Sequence, residues 1–161
     1  MTSPFKNPVL SWDEATEMAQ NCRDKGGIVV TTNGCFDLLH AGHVQYLSYA
    51  RQLGDILLVA INTDDSVKRI KGPKRPINNE ESRAFVLSAL KSVDGVCIFS
   101  EETPVEWLKT VKPHIHVKGS DWDITKIPEA KVLETWGGRV QAAPFTEGFS
   151  TTKLIEKSKG V

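Results

Sequence analysis

The sequence predicts an α/β protein built on a parallel sheet with helices covering both faces. Three observations carry this. Residues 28–32 (IVVTT) and 56–61 (ILLVAI) are unbroken runs of apolar and β-branched residues, the composition of strands buried on both sides. Longer stretches with helical spacing alternate with such runs, and strand–helix–strand alternation closes into a parallel sheet through right-handed crossovers. The 161 residues, 40% apolar and 25% charged, suffice for one compact domain with its own core.

The first helix starts at Ser11, where S-W-D-E puts a hydroxyl at the N-cap and Glu14 three residues on, a capping box. Gly26-Gly27 ends it after Lys25. Residues 1–27 therefore read as a helical extension packed on the main domain, residues 28–161. Asn33-Gly34 breaks the first strand, and helical spacing resumes at Gly42 with Val44, Tyr46, Leu47 and Ala50 placed for burial. Gly54-Asp55 stops that helix, and strand 56–61 follows. Residues 62–79 are polar and read as a loop, and 80–91 is helical again. Runs 93–99, 115–117 and 139–143 supply three more strands, with helices near 104–111, 128–136 and 151–157. In such sheets ligands lie at the carboxyl ends of the strands, where strand order reverses. That rule points to the residues after Thr32, Ile61, Val117 and Ala143.

Twenty Lys+Arg balance twenty Asp+Glu, so no global field attracts nucleic acid or an anionic membrane. Any anion site must come from local arrangement. No apolar run approaches the length of a membrane span, and the N-terminus MTSPFKNPVLSWDEA lacks the pattern of a secretory signal. Cys22, Cys35 and Cys97 are widely spaced and odd in number, which fits a reducing compartment. A cytoplasmic protein is expected.

The most unusual segment directly follows the first strand: Asn33-Gly34-Cys35-Phe36-Asp37-Leu38-Leu39-His40-Ala41-Gly42-His43. Neither common phosphate loop, GxGxxG or GxxxxGK[ST], is present. Instead H-x-G-H stands at a helix start, which places two imidazoles on one face, three residues apart. Gly42 lets a phosphate approach the backbone, and the helix terminus offers unpaired N–H groups and a positive dipole end. Two surface histidines without function would show the same spacing. A zinc site completed by Cys35 and Asp37 is the other alternative, although two histidines make half a tetrahedron. The position after strand one favours phosphate binding.

The segment Gly34 to His43 resembles the G-x-F-D-x-x-H-x-G-H signature of the cytidylyltransferase-like nucleotidyltransferases, relatives of class I aminoacyl-tRNA synthetases. TNGCFDLLHAGHVQYL, LLVAINTDDSVKRIKGPKRPINNEESR, TPVEWL, VKGSDW and GFSTTKLI are similar, in order, to the heptose-1-phosphate adenylyltransferases of lipopolysaccharide-core biosynthesis. That subgroup includes the C-terminal half of a bifunctional heptose kinase/adenylyltransferase, and the likeness covers residues 28 to 157. The resemblance implies a Rossmann-like fold of five parallel strands and transfer of AMP from ATP to D-glycero-β-D-manno-heptose 1-phosphate. With no kinase segment before the motif, a stand-alone transferase is expected. His40 and His43 would contact the triphosphate and stabilise the transition state. Asn33, Gly34, Cys35, Phe36 and Gly42 would cradle the nucleotide.

Lys68, Arg69, Lys71, Lys74 and Arg75 put five positive charges into eight residues after strand two. Such a run is either a solvated loop or an anion clamp folded over the sheet end. The resemblance points to Lys71 as catalytic, with Arg75 and Arg83 as further anion contacts, while Lys68 and Arg69 read as solvated. The same likeness implies nucleotide contacts at Lys118, Gly119, Thr146, Ser150, Thr151 and Thr152. Asp37, Asp121 and Trp122 would face the sugar phosphate. Core packing is the alternative for Trp122, and helix capping for Ser150 or Thr151. His114 and His116 read as structural.

Ser120 and Trp122 depart from the subgroup's usual K-G-G-D-Y, and Trp here also occurs in glycerol-3-phosphate cytidylyltransferases. Phe145 stands where cytidylyltransferases carry an arginine, which favours ATP over CTP. No metal ligands are expected from the chain, since Mg²⁺ would be held mainly by substrate phosphates. A homodimer, through residues 92–99, is implied by the relatives. The rival readings are a cytidylyltransferase acting on glycerol 3-phosphate or a related alcohol phosphate, and a nucleotide-binding module without catalysis.

Overall fold

Strands β1 (Val29–Gly34), β2 (Ile56–Asn62), β3 (Gly95–Phe99), β4 (Ile115–Lys118) and β5 (Arg139–Ala142) form one all-parallel sheet of order β3-β2-β1-β4-β5. The computed structural model that shows this describes residues 9–144 and 150–158. Around the sheet lie α1 (Trp12–Asp24), α2 (Ala41–Gln52), α3 (Asp64–Lys71), α4 (Glu80–Ser88), α5 (Val105–Val111), α6 (Pro128–Glu134) and α7 (Thr151–Ser158).

The reason for the two-sided cover is visible along each strand, where consecutive side chains enter opposite cores. Val30, Leu57, Val59 and Ile61 pack with Leu47 and Ala50 of α2 and Ala84 and Leu87 of α4. Val29, Leu58 and Ala60 point the other way, onto Ala15 and Ala19 of α1, Trp107 and Leu108 of α5 and Leu133 of α6. A strand buried on both faces cannot alternate apolar with polar, which is why the runs at 28–32 and 56–61 are continuous.

The expected capping box at α1 is present: the Ser11 hydroxyl accepts from the Glu14 N–H (3.1 Å), and the Glu14 carboxylate from the Ser11 N–H (2.7 Å). Residues just before and in α1 also cover the outer edge of β3. The Leu10 N–H donates to the Val96 carbonyl (2.8 Å) and the Trp12 indole to the Ile98 carbonyl (3.0 Å). The region expected to contact a second copy, 92–99, thus contains an edge strand whose carbonyls at Val96 and Ile98 are already engaged within the chain. Among the described residues no helix is long and apolar enough to cross a membrane.

Residues 62–79 correct the expectation of a loop, because their first half is α3. The Thr63 hydroxyl accepts from the Ser66 N–H (3.3 Å), Asp64 and Asp65 occupy the first turn, and Lys68, Arg69 and Lys71 the last. Acid at the start and base at the end match the helix dipole, so the basic run stabilises a helix end. Gly72, at φ 99°, terminates it in a conformation that a side chain would resist.

Candidate active site

From β1 the chain proceeds to β2 and β3 on one side, and β4 and β5 lie on the other. The order therefore reverses between β1 and β4. Asn33 and Gly34 end β1 and Lys118 ends β4, so the carboxyl ends flanking the reversal carry three of the expected site residues.

Beyond Gly34 the chain turns sharply. Phe36 adopts φ 47°, a left-handed conformation uncommon for a large residue, and is buried. A Cβ on Gly34 would stand 2.9 Å from the Phe36 ring, so that glycine permits the turn to fold back. The next residue, Asp37, is buried, and its carboxylate is engaged inside the protein. It accepts from the backbone N–H groups of Ile77 (2.8 Å) and Asn78 (3.0 Å) and pairs with Arg75 Nε. Asn78 returns a bond from its amide to the Asp37 carbonyl (3.1 Å). The residue expected to meet the sugar phosphate instead ties the β1 loop to residues 75–78.

Arg83, expected as an anion contact, has a comparable internal role. It is 2% exposed. Nε donates to the Asn78 carbonyl (3.0 Å), Nη1 to the Cys35 carbonyl (2.7 Å), and Nη2 to the Asn62 carbonyl and the Asp64 carboxylate (both 2.8 Å). One guanidinium from α4 thus braces the chain after β1, the end of β2 and the start of α3. The physical cause is the fork of donors, which satisfies several carbonyls that no ladder reaches.

His40 caps α2, its Nδ1 accepting from the His43 N–H (3.3 Å). That bond leaves the proton of a neutral His40 on Nε2. The His40 and His43 rings stack with centroids 3.8 Å apart and planes 16° from parallel, and the Phe36 ring lies 5.3 Å from His43. His43 Nδ1 is buried without a hydrogen-bond partner. Burial, then the neighbouring His40, lowers the His43 pKa to about 4 against a weaker opposing effect of the Leu38 backbone. His40 is also lowered, by burial. Two neutral imidazoles thus stand at a helix N-terminus, where the positive end of the helix dipole attracts an anion. Among the described residues no group of three or more His, Cys, Asp or Glu is placed to hold a metal ion, so the zinc alternative has no ligand set there.

Cations lie round the same loop. Burial raises the Cys35 thiol pKa, and the charges that oppose this are Lys71, the strongest, then Arg83 and Arg75. Cys35 stays a thiol, and the strongest of the opposing cations, Lys71, is the last residue of α3. Lys68 instead pairs with Asp65 (3.2 Å) in solvent, and Arg69 donates to the Ser100 carbonyl (2.7 Å).

On the β4 side, Lys118 is buried and its ammonium bonds Asn33 Oδ1 and Glu129 Oε1, each at 2.8 Å. It also lies 5.3 Å from the centroid of the Trp122 ring, which is exposed rather than packed in the core. A Cβ on Gly119 would meet the Asp121 carboxylate at 2.5 Å, so the glycine allows Asp121 to fold close over the turn. His114 Nδ1 accepts from the Val29 N–H (2.9 Å), a structural role as expected. From the last helix, the Thr151 hydroxyl reaches the Leu38 carbonyl (3.3 Å), joining the start of α7 to the loop before His40. Ser150 accepts from the Lys153 N–H (3.4 Å) as a cap, and Thr152 is exposed. Thr146 and Phe145 lie outside the described residues.

Three residues that support the site are not among those the sequence points to as site residues, although Tyr46 is expected to be buried. Tyr46, one turn after His43, places its hydroxyl 2.6 Å from Thr32 Oγ1 and donates to the Val117 carbonyl (2.9 Å), pinning α2 to the β1–β4 seam. The i, i+3 spacing from His43 was its signal. Asn78 and Glu129 had none, because their partners lie far off in sequence.

The cytidylyltransferase-like family model matches residues 31–157. The bifunctional protein HldE of Trichlorobacter lovleyi is 52% identical over 135 residues, 84% of this chain and 28% of its own length. The protein of that name in Vibrio cholerae serotype O1 (strain O395) is 48% identical over 152 residues, 94% of this chain and 32% of its own. The chain thus spans about three-tenths of the length of these curated relatives. A crystal structure of the lipopolysaccharide core biosynthesis protein from Thermoplasma volcanium matches with a TM-score of 0.64 and 31% identity, covering 77% of this chain and 100% of that one.

Proposed function

The chain belongs to the cytidylyltransferase-like family of nucleotidyltransferases, and from that premise we propose that it transfers AMP from ATP to D-glycero-β-D-manno-heptose 1-phosphate, giving ADP-heptose and pyrophosphate. The observation that carries the reading is the stacked His40–His43 pair at the start of α2, beside the point where strand order reverses. The segments similar to heptose-1-phosphate adenylyltransferases support the choice of substrate. So does the likeness to a lipopolysaccharide core biosynthesis protein.

An oxygen of the sugar phosphate attacks the α-phosphorus of ATP. A new P–O bond forms to that oxygen, the bond from the α-phosphorus to the bridging oxygen breaks, and pyrophosphate leaves with that electron pair. The nucleophile is already an anion near neutral pH, so no proton has to be removed from it. The half-buried Cys35, held as a thiol, is not needed as a nucleophile. His40, His43 and the N–H groups of the first turn of α2 donate to phosphoryl oxygens on which charge builds. Lys71 and Arg75 offset charge on the same phosphates, while Asp37 and Arg83 hold the loops that carry them. The acidic residues near the site do not suit a protein-held metal, since Asp37 and Asp64 are taken by Arg75 and Arg83. Mg²⁺ accordingly enters as part of the ATP substrate, screening its phosphates.

Two results are expected. Lys71→Ala lowers kcat by at least tenfold, whereas Lys68→Ala, which removes an exposed pair with Asp65, changes activity by less than about threefold. Equal kinetics for the two variants would make the basic run a solvated helix end. Separately, ATP with Mg²⁺ raises Tm more than CTP does, because stabilisation follows RT ln(1 + [L]/Kd) and reaches about 2.7 kcal/mol at a hundredfold excess over Kd. An equal or larger shift with CTP would favour a cytidylyltransferase acting on glycerol 3-phosphate or a related alcohol phosphate.

A further inference from the structure

Asn33 lies one residue from the end of β1, between β2 and β4. Its side-chain oxygen accepts two bonds, from Lys118 Nζ (2.8 Å) and from His116 Nε2 (3.2 Å). A lysine ammonium has donors only, so the atom facing it must be the amide oxygen, and the orientation of Asn33 is fixed by chemistry. Both lone pairs of that oxygen are then in use. The amide nitrogen, with two donors, points away from them, and no protein acceptor meets it among the described residues.

His116 completes the arrangement. It is fully buried, and burial followed by the nearby Lys118 keeps it neutral. A neutral imidazole has one donor and one acceptor. Asn33 Oδ1 needs the donor at Nε2, so Nδ1 is the acceptor, and the Thr31 hydroxyl, 2.8 Å away, donates to it. Lys118 is balanced in turn by Glu129. Thr31, His116, Asn33, Lys118 and Glu129 thus form one continuous chain of bonds across β1, β4 and α6, buried except at Asn33, whose members fix one another's direction.

We propose that the side-chain amide of Asn33 donates a hydrogen bond to a phosphoryl oxygen of the bound substrates, and that His116 is the positioning residue that aims it. A group whose oxygen is saturated and whose nitrogen is unpaired recognises a partner that only accepts, and phosphoryl oxygens are such partners. The inference rests on the reading of this crevice as a phosphate-handling site, and gives it a donor independent of the histidine pair.

Asn33→Asp is the sharpest test. The carboxylate keeps an acceptor for Lys118 and His116, so the fold is retained, while the outward donor becomes an anion. The expected result is a fall in kcat/KM of about 10²-fold with Tm nearly unchanged. A matching loss of the thermal shift given by Mg·ATP would place the bond on the nucleotide. A rise confined to the KM of the sugar phosphate would place it on the acceptor. Wild-type kcat/KM and wild-type ligand shifts in Asn33→Asp would overturn the proposal.

His116→Gln, which keeps a donor near the Nε2 position, and His116→Leu, which has none, test the positioning. The Gln variant is expected within about threefold of wild type and the Leu variant about tenfold lower per folded molecule. Equal activity per folded molecule would make His116 purely structural. Binding of Mg·ATP by the wild-type chain without turnover of the heptose phosphate would refute the substrate assignment. The Asn33 test, read by ligand shift, would still stand.

Discussion

His43→Ala is expected to lower kcat by about 10²-fold or more while leaving the fold intact, the largest loss of activity that a single side chain should produce here. Removal of one preorganised donor from a site of developing charge typically costs about 3–4 kcal/mol at the transition state. His43 is held in place for that role by its stack on His40 and the tilted Phe36 ring beside it. The same substitution has a signature in stability. An unfolded histidine titrates near pH 6.5, while His43 in the fold titrates at about 4. The unfolded chain therefore binds the proton first, and stability is lost as pH falls from about 6.5 towards 4, with no contribution above that window. Denaturant midpoints between pH 7.5 and 4.5 should fall less steeply in His43→Ala than in wild type. A variant that melts early at neutral pH but turns over normally would make the residue structural.

Arg83→Met is expected to cost about 3–5 kcal/mol, a fall in Tm on the order of 10 °C, because it leaves three carbonyls and the part-exposed Asp64 carboxylate without their donor. Asp64 would lose its partner, and the carbonyls of Cys35, Asn62 and Asn78 would lose their donor. Activity should fall as the loop after β1 loosens, and stability should fall with it. Scanning calorimetry beside steady-state kinetics separates this brace from a direct anion contact. Full stability with lost activity would mean that Arg83 meets substrate.

Strands β1 and β2 were legible because burial on both faces demands unbroken apolar runs, and α1 because a capping box is a local signal. The place of the site was legible as well, since H-x-G-H after the first strand stands where strand order reverses. Helix α3 was hidden because a basic run before Gly-Pro looks like a loop until Asp64 and Asp65 are set at its other end. The ligand-facing roles of Asp37 and Arg83 are what the family resemblance implies, and nothing local in the sequence shows their internal partners. Their partners, Arg75 and the Cys35 and Asn62 carbonyls, lie 21 to 48 residues away and meet them only once the sheet has formed. The bonds from Thr31 to His116 and from Asn33 to Lys118 depend in the same way on the β1–β4 pairing.

Pyrophosphate release measured for ATP and CTP, each with heptose 1-phosphate and with glycerol 3-phosphate, separates the adenylyltransferase from its rivals. Release is expected with ATP and D-glycero-β-D-manno-heptose 1-phosphate, matched mole for mole by ADP-heptose, with little from the other three combinations. Faster release from CTP and glycerol 3-phosphate, or nucleotide binding with no release from any combination, would contradict the adenylyltransferase assignment.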